Sequence, residues 1–231
     1  MKTFGLLGGL AYPSTAEYYL KINRQVHATL GKHHSAPLWI HSFDFEPIAQ
    51  AQASDSWAIL EEKLLQAALE LERLGCQGLA IASNTMHLLA PTLEGALSIP
   101  LVHIADSVGE ESSLKGYKKL ALLGTLFTME KDFYASRLQE RFDLEVITPA
   151  KEERNLVHEC IYRELVNNIF TEDSRRDFIQ IIHGLKERGA EAVILGCTEI
   201  PLLLEGASSP LPLLDTMELH VGSIVQSILE I

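Results

Sequence analysis

The chain has no cluster of basic residues: 19 Lys and Arg stand against 31 Asp and Glu, giving a formal charge of −12 and an isoelectric point near 5.2. Binding to phosphate backbones needs clustered Lys and Arg, so nucleic acid is not an expected partner. No apolar run approaches the ~18 residues of a membrane span. Met1-Lys2-Thr3 leads straight into a strand-like segment rather than a signal peptide, so the expectation is a cytoplasmic protein with no membrane partner. Cysteine is scarce, and Cys76, Cys160 and Cys197 are odd in number and widely spaced. That fits neither a disulfide framework nor the paired spacing of a zinc site, so no metal is implied. No stretch rich in Pro, Gly or Ser divides the chain. Gly8-Gly9 lacks the third glycine of a dinucleotide fingerprint, and Pro13 interrupts the turn, which disfavours a nucleotide cofactor.

What is present is a hydrophobic content of 47% over 231 residues, enough for a sizeable core in one large or two small domains. Short apolar runs alternate with longer amphipathic ones, the pattern of βα units around a parallel sheet; the expected class is α/β. Strands are expected at Thr3 to Leu7, Leu38 to Ser42, Gly78 to Ala82, Leu101 to His103, Lys119 to Leu123, Leu144 to Ile147, Ala192 to Leu195 and Leu211 to Leu214. Ser14-Thr15-Ala16-Glu17 reads as a capping box opening the first helix. Further helices are expected at Trp57 to Leu74, Glu153 to Ile169, Ser174 to Arg188 and Met217 to Leu229.

The chain also reads as written twice. Gly5-Leu6-Leu7-Gly8-Gly9-Leu10 is echoed by Ala121-Leu122-Leu123-Gly124-Thr125-Leu126, and Leu79-Ala80-Ile81-Ala82-Ser83-Asn84-Thr85 by Val193-Ile194-Leu195-Gly196-Cys197-Thr198-Glu199. The offsets, 116 from Gly8 to Gly124 and 114 from Ser83 to Cys197, nearly agree. The repeat sets a cut near Ser107 to Gly116. It gives a first domain over 1–110, rejoined by a final strand and helix over 211–231, and a second over 111–210. Two pseudo-symmetric α/β domains with parallel sheets would set Ser83 and Cys197 on opposite sides of one cleft, each at the carboxyl end of a strand, where open sheets bind ligands.

The two glycine-bearing turns, at Gly9 and at Thr125 with Thr128, follow strands and precede helices, so their N–H groups suit a carboxylate; a plain βα turn, with Thr128 capping a helix, is the alternative. Cys197 follows an apolar run and a glycine, where a thiol projects from a sheet end and neighbouring N–H groups would lower its pKa. Cys76 and Cys160 read as small core residues. Ser83, Asn84 and Thr85 offer uncharged donors suited to a carboxylate, and equally to the start of a helix. His87 and His103 read as structural groups or as proton carriers.

At these residues the chain resembles the cofactor-independent aspartate/glutamate racemase family. The matching segments are Gly5 to Asn23, Ser83 to His87, Pro100 to Asp106, Leu122 to Tyr134 and Leu195 to Ile200. The resemblance implies a homodimer of two-domain subunits that racemises an amino acid, here L-aspartate or L-glutamate, with no pyridoxal phosphate or other cofactor. In the family two cysteines work on opposite faces of the α-carbon, one as thiolate base and the other as thiol acid. The second maps onto Cys197 and the first onto Ser83, where this chain departs. An alcohol needs an adjacent base to lose its proton, and His87 is the nearest candidate. Substrate-binding positions map onto Gly9, Asn84, Thr85, Thr125, Thr128 and Thr198. Ile169-Phe170 stands where some aspartate-specific relatives carry a basic residue. Two alternatives stay open: a single-cysteine decarboxylase of a substituted malonate, and a carboxylate-binding protein without turnover.

Overall fold

The computed structural model describes residues 1–230 and divides into two compact units, Met1–His103 with the chain from His220 onward, and Ile104–Leu219. The first unit contains β1 (Phe4–Gly8), α1 (Tyr12–Leu30), β2 (Leu38–Ser42), α2 (Phe45–Ala53), α3 (Trp57–Arg73), β3 (Leu79–Ile81), α4 (Ala90–Ala96) and β4 (Leu101–Val102). The second contains α5 (Ile104–Lys115), β5 (Lys119–Gly124), α6 (Leu126–Glu130), α7 (Phe133–Phe142), β6 (Glu145–Ile147), α8 (Lys151–Arg163), α9 (Glu172–Glu187), β7 (Ala192–Gly196), α10 (Ile200–Leu203) and β8 (Leu213–Asp215). The chain then passes back to the first unit within α11 (Thr216–Leu229).

Each unit holds a four-stranded sheet with every neighbouring pair parallel, ordered β2-β1-β3-β4 in the first and β6-β5-β7-β8 in the second. The two orders are the same pattern. Central strands β1 and β7 are buried along their whole length. Parallel strands covered by helices on both faces read as continuous apolar runs rather than alternations, which is why Gly5-Leu6-Leu7 and Val193-Ile194-Leu195 stand out. The first core gathers Leu7, Ile48, Leu64, Leu71 and Ile81, with Cys76 among them. The second gathers Leu122, Leu138, Val157, Phe178 and Ile194, with Cys160 at its edge.

The register carries the repeat further than the sequence does. Leu7 pairs with Ile81 and the Ala82 N–H donates to the Leu7 carbonyl at 2.9 Å, so Ser83 lies one residue beyond the level of Gly8. Gly124 pairs with Gly196, so Cys197 lies one residue beyond the level of Gly124. Ser83 and Cys197 thus hold the same position on equivalent central strands.

Several boundaries differ from expectation. The region expected to hold the cut is the helix α5. The last strand does not return to the first unit: Val193, Ile194 and Leu195 of β7 pair with Leu213, Leu214 and Asp215 of β8, which completes the second sheet. Helix α1 begins at Tyr12 with Pro13 in its first turn, where a missing N–H is tolerated, so Ser14 and Thr15 are buried helical residues and no capping box forms. Helix α8 stops at Arg163, and a short 3-10 turn over Leu165–Asn167 ends on Asn168 in the left-handed region, at φ 56°.

Candidate active site

In the first unit, the turn after β1 is set by close backbone approach. Gly9 has φ 71°, and a Cβ there would stand 2.2 Å from the Phe43 carbonyl oxygen, so no other residue fits. The Gly9 N–H donates to the Thr15 hydroxyl at 2.8 Å, and that hydroxyl donates to the Ala11 carbonyl at 3.2 Å. The N–H expected to meet a carboxylate is therefore engaged inside the turn.

Ser83 is half-buried, and its Oγ receives the Met86 N–H at 3.4 Å at the start of a 3-10 turn over Thr85–Leu89. Asn84 is buried and Thr85 half-buried. His87 does not turn its Nδ1 to the serine hydroxyl. That nitrogen lies 2.7 Å from the Ser83 carbonyl oxygen, and because a carbonyl only accepts, Nδ1 carries the proton. His87 therefore holds the main chain beneath Ser83.

The His87 ring belongs to a buried cluster in which its centroid lies 4.4 Å from that of His103 and 5.6 Å from that of His220. His220 donates from Nε2 to the Val102 carbonyl and accepts the Tyr18 hydroxyl at Nδ1, both at 2.8 Å. Buried imidazoles are tolerated when their polar atoms are paired in this way.

In the second unit, β5 ends at Gly124 and Thr125 caps α6: its Oγ1 receives the Thr128 N–H at 3.3 Å and lies 3.2 Å from the Thr128 hydroxyl. The Leu126 N–H donates to His158 Nδ1 at 3.2 Å. As in the first unit, the N–H groups of the turn are taken up internally. Burial holds the His158 imidazole below its ordinary pKa, against the opposing pull of Glu159 and Glu130, which suits a neutral ring accepting from Leu126.

Gly196 precedes the thiol because a Cβ there would come 2.9 Å from the Leu123 carbonyl oxygen on the neighbouring strand. Cys197 is half-buried. Its Sγ donates to Glu199 Oε2 at 2.9 Å, and the Thr198 hydroxyl donates to the same oxygen at 2.8 Å. Burial, then the Glu199 charge and the hydrogen bond to it, push the thiol well above its ordinary pKa. The Glu199 and Thr198 N–H groups act downward, as the sequence suggested, but are outweighed. The direction is thus opposite to the expected lowering of the Cys197 pKa, and as the donor to Glu199 the sulfur carries the proton.

Tyr162 on α8 interacts electrostatically with Cys197: its phenol is raised by burial and then by that interaction, and its ring lies tilted against His158 with centroids 4.7 Å apart. Sequence reading missed Glu199, His158 and Tyr162 as site residues. Glu199 stood in the quoted segment with no role, and His158 and Tyr162 are four apart on one helical face, but nothing in sequence says which face meets a strand end. Ile169 and Phe170 lie exposed before α9. Asp106 serves structure, held by Arg137 at 2.6 and 2.7 Å and by Arg141 at 2.8 Å. An open groove of about 620 Å³ beside α9, lined by residues including Arg175, Ile179 and His183, contains none of these site residues.

The sequence-predicted residues thus fall into two sets at the carboxyl ends of like-ordered parallel sheets: Gly9, Ser83, Asn84 and Thr85 in the first unit, and Thr125, Thr128, Cys197 and Thr198 in the second. The scaffold is a repeated α/β unit, and one of its strand ends holds a thiol hydrogen-bonded to a carboxylate. The family model described as Asp/Glu/hydantoin racemase matches residues 7–224, and the chain belongs to that family. A crystal structure from Yersinia pestis assigned to the Asp/Glu racemases is 39% identical, with TM-score 0.94 over 99% of this chain and 100% of that one. An aspartate racemase homologue from Pyrococcus horikoshii is 32% identical, with TM-score 0.85 over 99% of each chain. The broad-specificity amino-acid racemase of Bacillus subtilis is 22% identical over 177 residues, covering 74% of this chain and 73% of that protein. The protein is an isomerase of racemase type. Among the described residues no helix is long and apolar enough to cross a membrane.

Proposed function

We propose that the protein is a pyridoxal-phosphate-independent amino-acid racemase that takes L-aspartate or L-glutamate. Cys197, as thiolate, removes the α-proton, and Ser83 serves the opposite face of the α-carbon. The observation that carries this reading is the shared register of Ser83 and Cys197, each one residue beyond the level of the glycine that ends its partner strand. The relatives named above act on amino acids or are homologues of such enzymes, which supports the substrate class. Asn84 and Thr85, with Thr125 and Thr128 at the second turn, supply uncharged donors for the substrate carboxylate; Thr198, whose hydroxyl donates to Glu199, lines the substrate position, and Gly9 shapes the first turn. We further take the protein to work as a cytoplasmic homodimer, as the family resemblance implies.

A second reading has one observation in its favour. With one thiol at the strand end, held as a hydrogen-bond donor to Glu199, the site also suits a decarboxylase that protonates a planar carbanion from a substituted malonate.

One experiment separates them. Purified protein without added cofactor is incubated in deuterated water with a panel of single L-amino acids, and loss of the α-proton signal is followed by NMR. Exchange with aspartate or glutamate is the expected result. Absence of exchange across the panel, with carbon dioxide released from a substituted malonate, would replace the first reading by the second.

A further inference from the structure

Cys197 rests as a thiol, yet the proposed reaction needs a thiolate at the moment the α-proton is removed. A thiol raised by burial and by a neighbouring anion does not ionise into water near neutral pH. The proton has a nearer destination. Glu199 Oε2 lies 2.9 Å from Sγ, already accepting from it, and the Thr198 hydroxyl donates to the same oxygen at 2.8 Å. Glu199 is itself only half-buried, so its carboxyl can exchange protons with water. The titratable groups that interact with the thiol are Glu199 on its own turn and Tyr162 on α8, and His158, whose ring lies tilted against that of Tyr162, is held towards its neutral form.

We propose that Glu199 is a catalytic residue, the immediate acceptor of the Cys197 proton, with Thr198 as the positioning residue that holds its Oε2 on the sulfur. The inference rests on the racemase reading. The S–H bond breaks, an O–H bond forms on Glu199, and the electron pair stays on sulfur. The thiolate then forms an S–H bond with the substrate α-proton, leaving the C–H pair on the α-carbon. The hydroxyl of Ser83 delivers a proton to the opposite face and recovers one from water, while Glu199 returns its proton to water. One proton and one negative charge belong to the Cys197–Glu199 pair before and after the transfer, so activation of the thiol neither consumes nor releases a proton.

That conservation sets the test. The rate of α-proton exchange from the L-substrate is measured from pH 6 to 8 for the wild type, E199Q and E199D. In parallel, alkylation of Cys197 by iodoacetamide is followed by peptide mass spectrometry, which separates it from Cys76 and Cys160. The wild-type rate is flat across the range. E199Q has no internal acceptor, so its exchange follows ionisation of the thiol and falls about tenfold per pH unit below the midpoint. Its alkylation midpoint moves to lower pH because the adjacent charge is gone. E199D keeps a carboxylate on a shorter arm and shows a flat profile at reduced rate, which also serves if E199Q fails to fold. An E199Q profile parallel to the wild type, merely lower at every pH, would show a structural role and overturn the proposal. So would an unchanged alkylation midpoint. An alkylation shift with no wild-type exchange on any substrate rejects the racemase reading instead, and with it the catalytic role of the pair.

Discussion

Replacing His87 separates two jobs that its ring performs. The Nδ1–H supplies a 2.7 Å hydrogen bond to the Ser83 carbonyl, and the body of the ring fills space against His103 and His220. His87→Phe keeps the volume and deletes the donor. A buried carbonyl left without its partner costs about 1–3 kcal/mol, and the partial burial of this contact places the loss at the lower end, about 1–2 kcal/mol. His87→Asn does the reverse, since its side-chain amide can donate from close to the position of Nδ1 while the rest of the ring is lost. Its loss is that of a cavity in a packed cluster. Urea unfolding, followed by circular dichroism, gives both stabilities. The distinguishing readout is kinetic: on the proposed mechanism, with Ser83 serving inversion and Cys197 serving α-proton exchange from the L-substrate, His87→Phe lowers inversion more than it lowers exchange, and His87→Asn restores the ratio. If His87→Phe leaves that ratio unchanged and His87→Asn fares no better, His87 does not position Ser83.

Three further outcomes follow from the geometry. Cys197→Ala abolishes exchange from the L-substrate, a loss beyond the roughly 10²-fold to 10⁴-fold typical of an ordinary general acid or base, whereas Cys76→Ala and Cys160→Ala, at 3% and 8% exposed core positions, lower unfolding midpoints and leave exchange near wild type. Ser83→Cys raises the exchange rate from the D-substrate by restoring an ionisable thiol, with the final enantiomer ratio still one to one; NMR in deuterated water and polarimetry read the two quantities. Gly196→Ala drives a Cβ to within 2.9 Å of the Leu123 carbonyl oxygen, and the overpacking costs about 1–3 kcal/mol in urea unfolding while displacing the thiol enough to depress exchange.

The strands were legible because each is a short apolar run bounded by turn residues, and all eight lie within two residues of the expected positions. The long helices were legible by periodicity. The shorter ones were not: α4, α6 and α10 span 7, 5 and 4 residues, too few turns for a hydrophobic period to register. No helix was expected over α2, which carries Pro47 inside it, or over α5, where the repeat had placed the cut between domains. The start of α1 misled because Ser14 and Thr15 carry the side chains of a cap, whereas the fold uses Thr15 to bind the Gly9 N–H. Placement of β8 could not be read, since a three-residue strand says nothing about which edge it joins. At the site, the positions of Ser83 and Cys197 on their strands were legible from the repeat. The protonation of Cys197 was not, because adjacent N–H groups can be counted in sequence, while loss of hydration and the reach of the Glu199 side chain appear only in three dimensions.

The like-ordered sheets carry a consequence for how such a protein can change over time. Each unit has its own complete sheet and its own core, so substitutions that retune one strand end need not disturb the other. The two ends of this chain have diverged on one scaffold: one pairs a thiol with a carboxylate, and the other sets an alcohol over a histidine. On the proposed mechanism, a mirror-neutral reaction is entrusted to a handed pair of tools. Selection acting on either half alone can then set how quickly each enantiomer is handled, while thermodynamics keeps their final ratio fixed.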